Sequence, residues 1–403
     1  MSLNSTPTGD RVHIGIFGKR NAGKSSLINA LTGQQLAIVS EVAGTTADPV
    51  SKAMELLPLG PVVMIDTAGL DDEGELGLLR VKKTYQALNK TDIALLAVSS
   101  EEGMSPFDTK LLERIKSKKI PYLVVYTKTD LAPAPELKDF EAAVSASTGD
   151  GINELKERIA RLSVQKENEL PIIFDKVENG DVVVLVIPID SSAPKGRLIL
   201  PQQQTIRELL EAGCITVCCR ETELKNTLAS FAKKPRLVIT DSQAFKRVDA
   251  ETPKDIDLTS FSILFSRHKG DLQAQVKGAE AIDTLQDGDK VLISEGCTHH
   301  RQCGDIGTVK LPALLRKYTG KELGFCFTSG TEFPDELPDI KLVIHCGGCM
   351  LSEREMKYRI KTAEDRSVPI TNYGVALAKL NGILSRSLEI FPELSQSPAE
   401  KEL

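Results

Sequence analysis

The run Gly18-Lys19-Arg20-Asn21-Ala22-Gly23-Lys24-Ser25, placed directly after the apolar stretch Val12–Phe17, constrains this chain more than any other feature. An apolar strand, a glycine-bearing turn and then the helical stretch Ser25–Leu31 form the context a phosphate-binding loop requires. Glycine lets backbone N–H groups converge on phosphate oxygens, where a Cβ would hold the chain away. Lys24 sets an ammonium against the β- and γ-phosphates, and Ser25 offers a hydroxyl to Mg²⁺. Gly18, Asn21, Ala22, Gly23, Lys24, Ser25 and Ser26 are therefore the expected phosphate-side residues. A loop of this kind belongs to a doubly wound α/β sheet, so that is the fold expected for the N-terminal module.

Three further motifs follow in order. Gly44-Thr45-Thr46 lies in a polar loop where a threonine can close on the metal. Val62–Ile65 leads into Asp66-Thr67-Ala68-Gly69, a carboxylate at a strand end that can hold Mg²⁺ through water while Gly69 meets the γ-phosphate. Tyr122–Tyr126 leads into Thr127-Lys128-Thr129-Asp130, and Ser145-Ala146-Ser147 completes the base side. Asp130 can accept two hydrogen bonds from a guanine edge, which adenine cannot offer. GTP and GDP with Mg²⁺ are thus the expected ligands, with Lys24, Thr46, Asp66 and Gly69 as catalytic residues and Ser25, Thr46 and Asp66 around the metal.

With Asn21 in the phosphate loop and Gly44-Thr45-Thr46 as switch, the module resembles the tRNA-modification and ribosome-assembly GTPases of the TrmE and Era type. That resemblance implies K⁺ beside the phosphates, held in part by Asn21, supplying the charge an arginine finger gives elsewhere. Leu70 follows the Asp-Thr-Ala-Gly motif, so the water-orienting glutamine of Ras-like enzymes is missing. Asp71, Asp72, Glu73 and Glu75 could place water, although such a charge run is commonly a solvated loop. Thr127 stands where these relatives usually carry asparagine. Guanine preference is expected to survive through Asp130.

A chain of 403 residues exceeds one ordinary domain. The polar segment Gln165–Glu169 before Pro171 reads as a linker, giving a GTPase domain at 1–168, a middle α/β domain at 169–260 and a C-terminal parallel α/β domain at 261–403. The formal net charge of −6 disfavours broad nucleic-acid binding. No apolar run approaches the roughly 20 residues of a membrane helix. Ser2–Asp10 has no apolar segment of a secretory signal, so a cytoplasmic setting is expected. In the middle segment, Asp181–Ile189, Ile215–Cys219 and Leu237–Thr240 read as strands, and Thr205–Ala212 and Thr222–Phe231 as helices. Cys214, Cys218 and Cys219 are expected as small core residues. Regular α/β structure without chemistry suggests an assembly surface, so homodimerisation is assigned there.

In the last segment, Phe261–Phe265, Lys290–Ser294, Leu323–Thr328 and Ile340–Ile344 read as strands, with helices over Leu272–Leu285 and Leu311–Tyr318. Cys297-Thr298-His299 follows one strand and His345-Cys346-Gly347-Gly348-Cys349 another. Between parallel strands, loops at the carboxyl ends converge on one crevice. That places Cys297, Cys346 and Cys349 near one another, with Gly347 and Gly348 allowing a tight turn. Three thiolates with His299 or His345 would make a zinc site, and an iron–sulfur cluster with an exchangeable fourth ligand fits equally well on chemistry alone.

A GTPase, a middle α/β domain, then Cys-x-His and a distant His-Cys-x-x-Cys together resemble the iron–iron hydrogenase maturation GTPases, the HydF family, over nearly the whole chain; Pro188–Gln202 is also similar to that family. The resemblance implies a 4Fe-4S cluster on Cys297, Cys346 and Cys349. It also implies a scaffold that receives a di-iron precursor from radical-SAM maturases and delivers it to the FeFe-hydrogenase apoprotein. His345, His299 and Asp190 are candidate fourth ligands, with Cys303 a weaker one. The alternatives are an RNA- or ribosome-associated GTPase with a structural zinc domain, and a GTP-dependent chaperone for another metal.

Overall fold

The computed structural model describes residues 8–33, 49–67, 75–163, 170–189, 198–296, 306–330, 333–334, 336–348 and 351–395. The chain divides into two compact units, Met1–Asn168 and Glu169–Leu403.

In the first unit the elements run β1 (Val12–Phe17), α1 (Lys24–Thr32), β2 (Val50–Leu56), β3 (Gly60–Asp66), α2 (Glu75–Asn89), β4 (Ile93–Ser99), α3 (Pro106–Ser117), β5 (Tyr122–Thr127), β6 (Glu141–Ala143) and α4 (Ile152–Ser163). The sheet order is β2-β3-β1-β4-β5-β6. All pairings are parallel except β2 against β3. The central strands are buried on both faces and read as continuous apolar runs, as a covered parallel sheet requires. One face packs Ile14, Ile16 and Leu95 against Leu27, Leu155 and Ile159. The other packs Phe17, Val63 and Leu96 against Leu88, Leu111 and Ile115. Helix α3 begins where Ser105 and Asp108 close a reciprocal cap and Pro106 fills the first turn. β2 escaped the sequence reading because its pattern is mostly exposed, as befits an edge strand with weak periodicity.

The second unit holds two four-stranded parallel sheets. The first is built from β7 (Val182–Val186), α5 (Leu200–Glu211), β8 (Ile215–Cys219), α6 (Leu224–Ala229), β9 (Leu237–Thr240), α7 (Phe245–Glu251) and β10 (Asp257–Ser260), in the order β10-β9-β7-β8. After α8 (Phe261–Lys269) and α9 (Leu272–Glu280) come β11 (Lys290–Glu295), α10 (Leu311–Thr319), β12 (Gly324–Ser329), β13 (Ile340–His345), α11 (Glu353–Asp365), β14 (Ile370–Asn372), α12 (Tyr373–Leu380), α13 (Leu384–Ser387) and α14 (Pro392–Ser395). The second sheet runs β12-β11-β13-β14. One apolar core joins the first sheet to α8, α9, α12 and the tail through Phe261, Leu264, Leu272, Val375 and Phe391, so both sheets are parts of a single packed body. Either face of the second sheet is covered: Ile293 and Ile344 pack on Leu311, Leu315 and Ala376, and Leu292 and Val343 pack on Ile360 and Ala363.

Two sequence expectations fail here. Phe261–Phe265 is helical, not a strand: Ser260 ends β10 and caps α8, its Oγ accepting from the Ile263 amide at 3.3 Å. A five-residue apolar run fits either period, and the cap decides. Among the three middle-domain cysteines, Cys214 is buried as expected, but Cys218 is exposed and Cys219 half-buried. The strand that carries them, β8, lies at the sheet edge, so one side is not covered.

Candidate functional site: a nucleotide cleft and a cysteine-bearing strand end

Every nucleotide motif that the structure describes sits at the carboxyl end of the first sheet. β1 and β3 are direct neighbours, with Ile16 opposite Asp66, so the phosphate loop after β1 opens beside the Asp66 carboxylate. Gly18 has a φ of 141°, and a Cβ there would lie 2.3 Å from the Ala97 carbonyl oxygen; only glycine passes so close to β4. Asn21 and Lys128 also hold left-handed backbone, at φ 60° and 58°. Lys24 is buried, and its Nζ donates to the carbonyls of Gly18 at 3.0 Å and Lys19 at 2.5 Å. The ammonium is thus held across the loop that phosphates would fill. Ser25 Oγ donates to Asp66 Oδ2 at 3.3 Å, a hydroxyl and a carboxylate already paired where Mg²⁺ would sit. Burial pushes the Asp66 carboxyl up from its ordinary range, opposed by the Lys24 charge and the Ser25 bond; a divalent ion there would compensate the same desolvation.

On the base side, Ser145 and Ser147 both donate to Asp130, Oγ to Oδ1 and Oγ to Oδ2, each at 2.8 Å. These two bonds hold the exposed Asp130 carboxyl below its usual value and fix its plane. Ala146 occupies the turn between them, and Ser26 lies in the first turn of α1. Thr127 is buried, and its hydroxyl donates to the Ala22 carbonyl at 2.8 Å, with the Val98 carbonyl at 3.2 Å. One hydroxyl proton is committed to the phosphate loop, so Thr127 ties the base-side motif to Ala22. Thr45, Thr46 and Gly69 lie outside the described residues.

In the second unit, β11 and β13 are paired parallel neighbours with Ser294 opposite His345. The Cys346 amide donates to the Ser294 carbonyl at 2.9 Å, continuing the ladder past the strand end. The Gly296 amide donates to Cys346 Sγ at 2.9 Å. The residue before Cys297 is therefore bonded to the Cys346 sulfur, although the two are fifty positions apart. Gly348 has a φ of 66°, and a Cβ there would lie 2.5 Å from Met356 Sδ; Gly347 has open space.

His345 is buried. Its Nδ1 contacts the Cys346 carbonyl, which can only accept, so Nδ1 carries the proton. Nε2 is left as a buried lone pair with no partner among the described residues. Burial, and to a lesser degree the nearby Arg359 charge, push the ring down to about 4, so it is neutral at physiological pH. A neutral imidazole with an unprotonated, unpartnered nitrogen is the form that ligates metal, and an amide bonded to sulfur suits a cluster thiolate. The described donors, one cysteine sulfur and one neutral imidazole, are of the kinds that hold either zinc or an iron–sulfur cluster. Cys297, His299, Cys303, Cys349 and Asp190 lie outside the described residues. Among the described residues, no three His, Cys, Asp or Glu side chains form a group that could hold a metal.

Arg359, one turn along α11 from Glu355, went unnoticed in the sequence because Glu-x-x-x-Arg on a charged helix reads as a solvated face. It is instead fully buried beside this site.

Residues 13–128 match the family model described as a 50S ribosome-binding GTPase. Residues 172–270 match the hydrogen maturase F dimerization domain, and residues 273–390 the hydrogen maturase F tetramerization domain. Among curated proteins, the chain is 36% identical over 157 residues to the tRNA modification GTPase MnmE of Burkholderia orbicola, covering 37% of this chain and 33% of that protein. To MnmE of Acetivibrio thermocellus it is 32% identical over 184 residues, covering 43% and 39%. The chain thus spans about a third of the length of the curated relatives it matches first. An Era structure from Aquifex aeolicus is similar at 22% identity and a TM-score of 0.34, covering 59% of this chain and 97% of that one. The N-terminal unit is a P-loop GTPase domain, carried on one chain with two parallel α/β sheets. The chain belongs to the hydrogen maturase F family, whose two named domains account for most of the second unit.

No helix among the described residues is long and apolar enough to cross a membrane.

Proposed function

We propose that this chain is a GTP-hydrolysing scaffold that carries a 4Fe-4S cluster and delivers a di-iron precursor to the apoprotein of an iron–iron hydrogenase. The observation that carries the reading is the Gly296 amide on Cys346 Sγ, which brings the chain entering Cys297 against Cys346 at the ends of two paired strands. The family to which the chain belongs supports the hydrogenase assignment, and the names of its two domains support homodimers and higher assemblies. Three domains, 1–168, 169–260 and 261–403, are the proposed division of labour.

In the nucleotide cleft, Lys24 leaves the carbonyls of Gly18 and Lys19 for the phosphates, and Ser25, Asp66 and Thr46 hold Mg²⁺. Asn21 would help to hold K⁺ beside the phosphates, where the ion would add positive charge. Asp130, oriented by Ser145 and Ser147, reads guanine. Nucleotide state regulates partner docking. In the second unit, Cys297, Cys346 and Cys349 hold the cluster, with His345, whose Nε2 is unpartnered among the described residues, the fourth ligand favoured over His299 and Asp190. When bound, the cluster supplies one exchangeable coordination position and a one-electron couple. Radical-SAM maturases are the proposed donors of the precursor.

The test is anaerobic reconstitution followed by iron and sulfide analysis and electron paramagnetic resonance of the reduced protein. Iron and sulfide in the wild type, lost in Cys346→Ser, are expected. A colourless protein with one zinc would sink the reading. Lys24→Ala is expected to abolish GTP hydrolysis and leave the iron content unchanged. The names of the ribosome-binding GTPase model and of the MnmE relatives favour a second reading, an RNA-associated GTPase; the net charge of −6 opposes it.

A further inference from the structure

Arg359 heads the largest fully buried side chains of the described structure. Removing a guanidinium from water costs several kcal/mol, and an apolar residue of similar volume would usually pack there at no loss. Its partners indicate why an ion is kept. Nε donates to Glu355 Oε1 at 3.0 Å, Nη1 to Ser294 Oγ at 3.1 Å, and Nη2 to the Gly330 carbonyl at 2.7 Å. Phe333 lies under the guanidinium plane, 5.3 Å from its centre. Glu355 is on α11, the helix that follows the His345–Cys349 loop; Ser294 lies near the carboxyl end of β11, and Gly330 follows β12. One side chain thus joins three elements that border the cysteine-bearing strand ends.

The connection continues to the candidate ligand. Ser294 Oγ also accepts from Thr328 Oγ1 at 3.0 Å, and the Ser294 carbonyl accepts the Cys346 amide at 2.9 Å. Arg359 is two hydrogen bonds from the Cys346 backbone. Arginine does not lose its proton in proteins, so this is a permanent charge in a low-dielectric setting.

We propose that Arg359 is the positioning residue of the cluster site, a fixed cation that holds the strand ends in register and favours the reduced, more negative state of the cluster. The inference rests on the cluster reading above. One-electron reduction of the cluster by dithionite adds one negative charge near the guanidinium, and Glu355 sets how much of the guanidinium charge that electron sees.

Wild type, Arg359→Lys, Arg359→Met and Glu355→Gln are reconstituted anaerobically, assayed for iron and sulfide, and titrated with dithionite under paramagnetic resonance. At the wild-type midpoint, Arg359→Met is expected to show a reduced-to-oxidised ratio about tenfold lower, equivalent to about 59 mV for one electron. Glu355→Gln, which removes the compensating anion, is expected to move the midpoint the opposite way. Arg359→Lys keeps the charge and loses the fork, so its midpoint stays near wild type while it gives up iron faster to a chelator. If Arg359→Met does not fold, Glu355→Gln decides by itself. An unchanged midpoint in Glu355→Gln, or in a folded Arg359→Met, overturns the proposal. A wild type that takes up no iron and sulfide fails the cluster reading instead.

Discussion

Replacing Thr127 by valine removes a single hydroxyl. Valine matches threonine in shape and removes the hydroxyl that reaches the Ala22 carbonyl at 2.8 Å. Thr127 is 3% exposed, so water cannot take the hydroxyl's place. A net hydrogen bond is worth about 1 kcal/mol, and an acceptor left buried without a donor costs about 1–3 kcal/mol. The Val98 carbonyl at 3.2 Å loses the same weak donor. Ala22 immediately precedes Gly23 and Lys24, so the penalty falls on the loop that must be held still for phosphate. If it is spent wholly on loop order, GDP affinity falls by about fivefold to about a hundredfold, since about 1.4 kcal/mol is a factor of ten. Thr127→Ser keeps the hydroxyl and is expected within about threefold of wild type on that scale. Equilibrium titration of the full chain with a fluorescent GDP analogue and Mg²⁺ measures both. A valine variant that binds within twofold of wild type would refute the tether, and with it the claim that the phosphate loop is held from the base side.

Asp130→Asn exchanges a double acceptor for a group that also donates, so preference should pass from guanosine to xanthosine diphosphate; competition binding reads the change, and retained guanine preference counts against Asp130 as the reader. Because Ser145 and Ser147 hold the Asp130 carboxyl below its usual value, it stays ionised as pH falls, and GDP affinity should be flat from neutral pH down to about 5. In the Ser145→Ala/Ser147→Ala double variant the folded value rises, so the loss on acidification begins at a higher pH; identical pH profiles would show the serines play no part. Gly348→Ala forces an L-residue to φ 66° with its Cβ 2.5 Å from Met356 Sδ, a cost of about 1–2 kcal/mol from backbone alone. Its melting temperature should fall, and its reconstituted iron with it; wild-type values for both would mean the turn is relaxed.

The GTPase domain was legible because each of its motifs is local. A strand end, a glycine-bearing turn and the next helix are contiguous, and their motifs keep their meaning wherever the sheet is placed. The cysteine site was legible only as far as strand ends in a parallel sheet converge, which brought Cys346 to the end of β13 next to β11. Errors arose where a residue's surroundings come from elsewhere in the chain. Phe261–Phe265 carried too few residues to separate a period of two from one of 3.6, and a single serine cap made it a helix. Cys218 looked like core because an edge strand and a central one have the same apolar composition; only sheet order exposes it.

Sequence alone therefore determined the GTPase fold, the order of its motifs and the supply of thiolates and imidazoles at two strand ends, since these depend on short-range pattern and on the geometry common to parallel sheets. Tertiary structure alone decided which polar groups are buried and what they face. It buried Glu355 and Arg359 as an ion pair under Ser294, left His345 Nε2 unpartnered among the described residues, and gave Thr127 the Ala22 carbonyl. Burial is a property of long-range packing, and the energy of a charge or lone pair depends on it far more than on the residue's neighbours in sequence.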